Sequence, residues 1–515
     1  EGLVRLISRG GSNPLVRTRI GVLNMSKKKI FIVGSGFSSL SSACYLAREG
    51  YSVTIFEKNK SLGGRARQFK RNGFTFDMGP SWYWMPDVFE KFFGDFDKKR
   101  SDFYKLKKLD PAYKVFFGHN DFITIGDSIE KIKKAFEKEE KGSSKILKAF
   151  IDEAKSNYQL AVKKMLYEMP GNSPLELINS QTIKKVYSFI TNIRRDVRQK
   201  FKSHRLRLIL EFPVLFLGAK SSNTPGFYNF MNFADFGLGT WQAENGFYDL
   251  VNAMVDLGKS LGVKYKTDSN IDSIVVNSNK VNGIYLNGDF FSCDIVVSGA
   301  DYAHTETLIP KVNRQYSTNY WKRRTWAPSS LLFYVGFDTK IPNVEHHNLF
   351  FDTDFDNHAK SIYDKPQWPK EPLFYANFTS KTFKKTAPKG CENGFFLIPI
   401  ATNIDDSTQI RERYFNLIIS RLEKHIGKNL SKNILFKESY CVSDFKNDYN
   451  SYGGNAYGLA NTLFQTAFLR PNLKSSKVKN LYFSGQLTVP GPGVPPAIVS
   501  GKLVSDLIIS DEKDI

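Results

Sequence analysis

The chain has 515 residues, of which 41% are hydrophobic and 24% are charged. This composition excludes a disordered, collagen-like or coiled-coil protein, and the length favours two or three domains. Lys and Arg number 73 against 51 Asp and Glu, a net charge of +22, but no basic block accompanies a nucleic-acid module, and no nucleic-acid partner is predicted. The four cysteines lack C-x-x-C spacing, which excludes a disulfide framework and a cysteine zinc site and fits a reducing compartment.

The segment 1–24 is rich in arginine and contains a single acid before Met25. This composition is also typical of a transit peptide, but a usable Met stands just before the first predicted strand. We expect 1–24 to be an extension outside the fold.

A strand–turn–helix–strand unit opens the predicted fold. Residues 30–33 (IFIV) are typical of a buried parallel strand, and a glycine turn at 34–39 leads into a predicted helix over 40–49. A second strand over 52–56 ends at Glu57. This order predicts a Rossmann-like dinucleotide site, the alternative being a glycine turn in an ordinary βαβ unit.

The residues of this turn have distinct expected roles. Gly34 permits the tight turn, and Gly36 lets the backbone approach a pyrophosphate at the helix N-terminus. Ser39 replaces the third glycine of the fingerprint and is small enough to preserve helix–strand packing. Glu57 is placed to accept a hydrogen bond from a ribose hydroxyl. The predicted nucleotide-binding residues are Gly34, Gly36, Phe37, Ser38, Ser39 and Glu57.

Two further glycine-containing stretches follow, LGGR at 62–65 and FTFDMGP at 74–80. A surface Gly-Gly turn with a solvated arginine would explain the first stretch taken alone. In this order and spacing, however, the two resemble the flavin amine oxidase and carotenoid desaturase superfamily. The resemblance implies FAD as the cofactor. It places Gly63, Gly64 and Arg65 at the pyrophosphate, and Gly79, Pro80 and Ser81 beside the isoalloxazine ring.

The segment 127–215 has a mostly helical pattern and is dense in Lys and Arg. A stripe of apolar residues at helical spacing, which this segment also contains, is more often plain core than membrane anchor. Together with the apolar run at 206–218 it is nonetheless the best candidate for a helical membrane-facing region, because basic amphipathic helices lie in the interface. No stretch reaches the ~18 apolar residues of a spanning helix, so the chain is not expected to cross a bilayer. Apolar residues recur at helical spacing at Ile183, Val186, Tyr187, Ile190 and Ile193.

The C-terminal region combines a short strand, a loop rich in glycine and proline, and a helix. Residues 480–485 (NLYFSG) are the predicted strand, 490–496 (PGPGVPP) the loop and 497–510 the helix. Proline is tolerated in the first turn of a helix, and the positive end of the helix dipole suits the N1–C2=O edge of a reduced, anionic flavin. Glycines let the loop backbone approach a flat ring. The predicted flavin contacts here are Gly485, Gln486, Gly493 and Val494.

Several stretches closely resemble the bacterial-type phytoene desaturases, the flavin-dependent enzymes that convert phytoene to lycopene. The most specific are 454–471 (GNAYGLANTLFQTAFLRP) and 481–501 (LYFSGQLTVPGPGVPPAIVSG). Counterparts also occur at 232–241, 245–250 and 298–305. The resemblance covers essentially all of 26–510, and the departure is in the first turn, where two serines replace the usual glycines.

The resemblance implies an α/β fold in which a Rossmann-like FAD-binding domain is interleaved with an α+β substrate domain. A strand predicted at 268–275 is expected to place Ile271 against the adenine. The expected FAD-binding domain comprises 26–100, 235–310 and 475–515, and the substrate domain 101–234 and 311–474.

The implied substrate is a lipophilic polyisoprenoid hydrocarbon without polar atoms. Because each CH₂ transferred out of water contributes ~0.8 kcal/mol, this substrate has to enter from lipid, and we expect peripheral association with the cytoplasmic face of a membrane. The flavin accepts hydride at N5 from an allylic carbon, and the neighbouring carbon loses a proton. The reduced flavin then passes its electrons to oxygen or a membrane quinone, the acceptors that this family uses.

No catalytic side chain is assigned from the sequence. Asp77, Asp235 and Glu244 are the acids nearest the family motifs, but nothing places them beside N5, and an allylic cation can lose its proton without a side-chain base. The seven histidines show no metal-site spacing, and no metal is predicted.

The net charge of +22 has two compatible explanations, an AT-rich coding sequence and a cationic protein face that binds anionic lipid.

Three rival functions stay open. A sibling enzyme that desaturates or isomerises another carotenoid would share the flavin site and differ in its cavity. A non-catalytic polyisoprenoid carrier would keep the fold, although retention of Glu57 and Arg65 disfavours it. An amine oxidase for polar substrates is disfavoured because 475–515 lacks cysteine and its only aromatics are Tyr482 and Phe483.

Overall fold

The computed structural model describes residues 27–168, 188, 190–462 and 465–513. The predicted extension at 1–24 lies outside the described residues, as do Ile183, Val186 and Tyr187 of the predicted helical stripe. The strands, in chain order, are β1 (Lys29–Val33), β2 (Ser52–Phe56), β3 (Gln68–Arg71), β4 (Phe74–Asp77), β5 (Leu106–Lys108), β6 (Tyr113–Gly118), β7 (Asp121–Ile125), β8 (Trp241–Ala243), β9 (Lys264–Lys266), β10 (Ile271–Asn277), β11 (Lys280–Leu286), β12 (Asp289–Ser292), β13 (Ile295–Ser298), β14 (Ser329–Phe337), β15 (His347–Phe350), β16 (Phe374–Asn377), β17 (Glu392–Ile400), β18 (Ile434–Tyr440) and β19 (Leu481–Phe483).

Two helices begin earlier than the sequence predicts. Helix α1 starts directly after Gly36 rather than at residue 40, and the C-terminal helix starts at Val494 rather than at 497. The two prolines of the C-terminal helix therefore occupy its first turn, where a missing N–H costs no hydrogen bond. The longer helices are α1 (Phe37–Arg48), α2 (Pro86–Gly94), α3 (Ile129–Glu139), α4 (Ser143–Leu160), α5 (Ile193–Lys200), α6 (His204–Glu211), α7 (Tyr248–Ser260), α8 (Phe355–Tyr363), α9 (Thr408–Ile426), α10 (Val442–Tyr449) and α11 (Val494–Lys513).

A five-stranded parallel sheet in the order β19-β13-β1-β2-β9 forms the first layer of the fold. Ile30 and Ile32 of β1 face one cluster with α1, α7 and α11, whereas Val33 faces the antiparallel sheet β10-β11-β12. Burial on both faces is typical of parallel strands. These strands lie within 26–100, 235–310 and 475–515, and the exact domain boundaries stay a prediction.

A seven-stranded, largely antiparallel sheet forms the second layer, in the order β18-β14-β17-β16-β15-β6-β7. Alternate side chains of its strands point to opposite faces. Phe333 and Ile398 pack with α9 on one face, whereas Leu332 and Tyr375 belong to the cluster on the other face, which is shared with the five-stranded parallel sheet. The second face therefore looks toward the first layer.

The helical segment predicted at 127–215 is present as α3 to α6 in the part of the chain that the structure describes. Its predicted stripe does not form one buried face there, because Ile193 is fully buried while Ile190 is 77% exposed. None of the described helices combines the length and apolarity needed to cross a membrane.

Candidate functional site

A cavity of about 570 Å³ extends from the carboxyl ends of the parallel strands to the inner face of the seven-stranded sheet. Open α/β sheets bind ligands in the crevice at this edge. All predicted cofactor residues except Ser39 line the cavity. These lining residues are Gly34, Gly36, Phe37, Ser38, Glu57, Gly63, Gly64, Arg65, Gly79, Pro80, Ser81, Ile271, Gly485, Gln486, Gly493 and Val494.

The turn between β1 and α1 leaves backbone exposed to the cavity. Gly34 has a φ of +84°, which favours glycine, and its N–H donates to the Phe56 carbonyl at 2.8 Å. A Cβ on Gly36 would meet no atom within 4 Å, whereas a Cβ on Gly64 would lie 3.2 Å from the Gly36 Cα. No side chain caps the N-terminus of α1. The first N–H groups of α1 are therefore available to an anionic ligand.

Ser39 lies behind the cavity, and its predicted place among the cofactor contacts is not what the structure shows. The side chain is fully buried, and its Oγ would be 2.1 Å from a Cβ built on Gly299. Ser39 therefore packs α1 against the end of β13, the packing role of the third glycine in the fingerprint. Glycine at 299 supplies the space that the serine takes.

Glu57 holds the nucleotide turn together through its carboxylate. One oxygen accepts from the Ser35 N–H at 2.9 Å and the Ser35 hydroxyl at 2.6 Å, and the other accepts from the Asn59 N–H and side-chain amide at 2.9 and 2.8 Å. A carboxylate offers about four acceptor positions, so all are used. A ribose hydroxyl bound here has to displace one of the two side-chain donors, which can rotate.

Arg65 carries a charge that no described carboxylate neutralises in an ion pair. Its guanidinium stacks over the Tyr449 ring at 4.9 Å and donates one hydrogen bond, to the Asn455 carbonyl at 3.2 Å. Its Nε is buried without a partner, and burial lowers the pKa of the group. A buried charge is costly unless it is paired. Together with the free helix N-terminus, Arg65 fits the pyrophosphate of FAD.

The flavin end of the cavity is formed by two segments that the large sheet holds in place. The Tyr334 hydroxyl donates to the Met78 carbonyl at 2.7 Å, and the Tyr375 hydroxyl donates to the Ser81 Oγ at 3.0 Å. On the opposite side the loop before α11 has two glycines at φ +121° and +117°, at 491 and 493. These segments leave a slot suited to a flat ring.

The part of the cavity beyond the flavin end is apolar. Described lining residues from 161–231 and 349–375 include no Asp, Glu, Lys or Arg. His358, which lines it, accepts from the Leu373 N–H through Nδ1, and its Nε2 contacts the Pro399 carbonyl at 2.7 Å. The apolar walls include Trp84, Phe212, Phe227, Phe230, Met231, Leu349, Phe351, Phe355, Ala359 and Ile362.

None of the three acids nearest the family motifs lines the cavity. Asp77 accepts from the Phe247 N–H at 2.8 Å, and burial raises its pKa to about 7. Asp235 accepts from the Tyr113 hydroxyl at 2.7 Å, and burial likewise raises its pKa to about 7. Asp77 thus joins β4 to the start of α7, and Asp235 joins a helical turn at 233–237 to β6. The backbone N–H of Glu244 donates to the Lys105 carbonyl. No cluster able to hold a metal occurs among the described residues.

Sequence reasoning missed the apolar walls and the Tyr375–Ser81 contact. The wall residues come from strands and helices far apart in the chain, and an apolar run does not show which face meets a cavity. Tyr375 lies 294 positions from Ser81, and its hydroxyl also contacts the buried Nδ1 of His347 at 2.6 Å.

Comparison with known proteins agrees with this geometry. The family of flavin-containing amine oxidoreductases matches residues 37–509. The carotenoid 3,4-desaturase of Haloarcula japonica is 38% identical over 496 residues, which cover 95% of this chain and 99% of that protein. The chain belongs to the carotenoid desaturases of this flavin-dependent family. The 4,4'-diapophytoene desaturase of Staphylococcus haemolyticus is 28% identical over 94% of this chain and 99% of its own.

A solved oxidoreductase from Methanosarcina mazei shares the fold, with a TM-score of 0.60 at 15% identity over 93% of this chain and 100% of that one. The predicted α/β fold of the flavin amine oxidase type and the predicted family are confirmed. The chain is an FAD-dependent oxidoreductase.

We expect replacement of Arg65 by glutamine to weaken FAD binding by about tenfold to a hundredfold, because hydrogen bonds to a charged group contribute about 1.5–3 kcal/mol. Arg65 has one hydrogen bond of its own, so the free energy of unfolding of the apoprotein changes little. FAD titration and urea unfolding separate the two effects. The matched control is Arg48→Gln at the exposed end of α1, and equal FAD affinity in both variants would refute the Arg65 assignment.

Proposed function

We propose that this protein desaturates the carotenoid hydrocarbon phytoene and forms lycopene by repeated removal of hydride and a proton. The observation that carries the proposal is the continuity of the flavin end with an apolar cavity free of charged side chains in its described far half. A hydrocarbon offers no hydrogen bonds, so its binding depends on apolar area at about 25 cal/mol per Å². A polar amine would meet no ion-pair partner there.

When bound, FAD supplies the acceptor for hydride. The protein's own residues orient the substrate and exclude water from the reacting carbons. Trp82 stacks on the neutral His347 ring at 4.3 Å, and burial holds the pKa of His347 well below its usual range. Ser81 and Tyr375 line the cavity, and the Tyr375 hydroxyl contacts both the Ser81 Oγ and the His347 ring.

A sibling activity is the second candidate, favoured by the 38% identity to a carotenoid 3,4-desaturase. The test supplies FAD-loaded protein with phytoene in liposomes and, separately, with an already conjugated acyclic carotenoid, and identifies products by visible spectrum and mass. Conversion of phytoene through successively longer chromophores to lycopene supports the proposal. Conversion of the conjugated carotenoid alone would overturn it in favour of the sibling.

We further propose that the protein acts as a peripheral protein on the cytoplasmic face of a membrane, with lipid as the source of substrate and oxygen or a quinone as the electron acceptor. The insolubility of the hydrocarbon and the net charge of +22 support this placement. The basic helices between residues 129 and 211 are the candidate contact surface.

Turnover in anionic vesicles is expected to exceed turnover in neutral vesicles by about tenfold, because two or three basic residues at ~1 kcal/mol each suffice for that factor. Added salt reduces the advantage by screening. Replacing Lys145, Lys148 and Lys155 on α4 by glutamate is expected to remove the advantage of anionic vesicles. The control replacement of Lys384, Lys385 and Lys389 by glutamate is expected to leave that advantage unchanged. Equal turnover in both kinds of vesicle would exclude an electrostatic contribution.

A further inference from the structure

Arg470 has the smallest exposed fraction of the arginines that the structure describes, with 3% of its surface exposed. Its guanidinium donates to the Gln486 and Leu459 carbonyls, each at 3.0 Å, and to the side-chain oxygen of Asn461. Its Nε has no hydrogen-bond partner. The polar groups around Arg470 are therefore neutral oxygens.

No carboxylate of the described residues pairs with Arg470, and its nearest titratable neighbours are Tyr228 and Tyr320, whose hydroxyls are neutral at neutral pH because burial raises their pKa values. Less buried arginines elsewhere do have partners, as Arg67 has Asp448 and Arg421 has Asp352. Burial lowers the pKa of Arg470 to about 10, so the group remains charged at neutral pH. An uncompensated buried cation costs several kcal/mol, which indicates that an anion belongs nearby.

The position of Arg470 identifies that anion. The guanidinium lies directly behind the loop before α11, and a Cβ on Gly491 would be 3.0 Å from its Nη2. The other side of this loop, including Gln486 and Gly493, lines the flavin end of the cavity. Arg470 is thus separated from the cavity by one layer of backbone, at the segment from Gln486 to Gly493.

We infer that Arg470 is the buried positive charge that stabilises the anionic form of the reduced flavin. Hydride brings two electrons and one proton to the oxidised ring, so the product carries one negative charge until a second proton arrives. Arg470 acts through the 486–493 loop as a positioning and electrostatic residue, without touching the substrate. The inference rests on FAD as the cofactor and is independent of which carotenoid is the substrate.

A purely mechanical role is the competing explanation, because the same hydrogen bonds join the 459–461 segment to Gln486. A lysine at this position distinguishes the two roles, because it preserves the electrostatic role and not the mechanical one. Arg470→Lys keeps the charge but loses the forked geometry that reaches three acceptors. Arg470→Gln loses the charge and keeps hydrogen-bonding capacity.

The test measures the two-electron midpoint potential of FAD-loaded protein against a reference dye, without any carotenoid. Arg470→Gln is expected to disfavour the reduced state at least tenfold, equivalent to a potential about 30 mV lower. Arg470→Lys and the surface control Arg48→Gln are expected to stay within about threefold, or about 15 mV, of the wild type. An unchanged potential in Arg470→Gln, or equal shifts in the Gln and Lys variants, would overturn the inference.

Sulfite gives a second measurement that remains usable if Arg470→Gln does not retain FAD. Sulfite adds its lone pair to flavin N5 and leaves a negative charge on the same N1–C2=O edge. We expect the wild type and Arg470→Lys to form the adduct with similar affinity, seen as bleaching of the flavin absorption. Failure of the wild type to form it, or loss of the adduct in Arg470→Lys, would contradict the proposed role of the charge.

Discussion

Replacing Gly501 by alanine is expected to lower the free energy of unfolding by about 3 kcal/mol, the upper end of ordinary overpacking costs, and to weaken FAD binding at the same time. An added Cβ would lie 2.4 Å from the Ser38 carbonyl oxygen and 2.6 Å from the Ser41 Cβ. The nearest of these is backbone, which no rotamer change can move. Because Ser38 also lines the cavity, separating α1 from α11 displaces the nucleotide turn.

Urea unfolding and FAD content of the purified protein measure both effects. The control is Gly94→Ala at the end of α2, where a Cβ meets no atom within 4 Å. That variant is expected to be neutral or stabilised by up to about 1 kcal/mol through helix propensity. If Gly501→Ala unfolds at the wild-type urea concentration with full FAD content, the close approach of α1 and α11 is not required.

Replacing Ala359 by phenylalanine is expected to reduce carotenoid turnover at least tenfold while FAD content is retained. Ala359 is 7% exposed and lines the apolar part of the cavity on α8. A ring in this position fills space that a long, stiff hydrocarbon needs, and the flavin end is formed by other segments. Overpacking costs about 1–3 kcal/mol in a filled core, and an open cavity reduces that cost.

Lys360→Phe is the matched control, since it adds the same ring to the exposed side of the same helix. Its turnover in liposomes is expected to equal that of the wild type. Product formation is followed by the visible absorption of the lengthened polyene, and FAD content by flavin absorption after denaturation. Wild-type turnover in Ala359→Phe would place the substrate path elsewhere.

The first βαβ unit could be predicted from the sequence because its signals are local. Strand β2 has the predicted bounds, and the glycine turn and Glu57 lie where the fingerprint places them. The start of α1 was predicted three residues late, because the serines that follow Gly36 are weak helix formers in isolation. Tertiary contacts decide the helix start: Ser39 packs against the end of β13, and the Ser41 hydroxyl donates to the Ile498 carbonyl of α11.

The rest of the site depends on contacts between distant segments. Ser39 was predicted as a cofactor contact, and only the neighbouring Gly299 shows that it packs behind the turn. The lone-pair positions of Glu57 are filled by Ser35 and Asn59, so its first role is to hold the turn, which a spacing argument does not reveal. Arg470 stands within a family-like stretch, and its buried, unpaired charge becomes visible only in three dimensions.

The most direct test of the account is anaerobic mixing of FAD-loaded protein with phytoene in anionic liposomes, while flavin and polyene absorption are recorded together. The central claim is that the flavin end and the apolar cavity serve one reaction. We predict that oxidised flavin bleaches in step with the appearance of a longer conjugated chain, one double bond per flavin reduced. Flavin that dithionite reduces, but that neither phytoene nor a conjugated acyclic carotenoid reduces, would contradict the account.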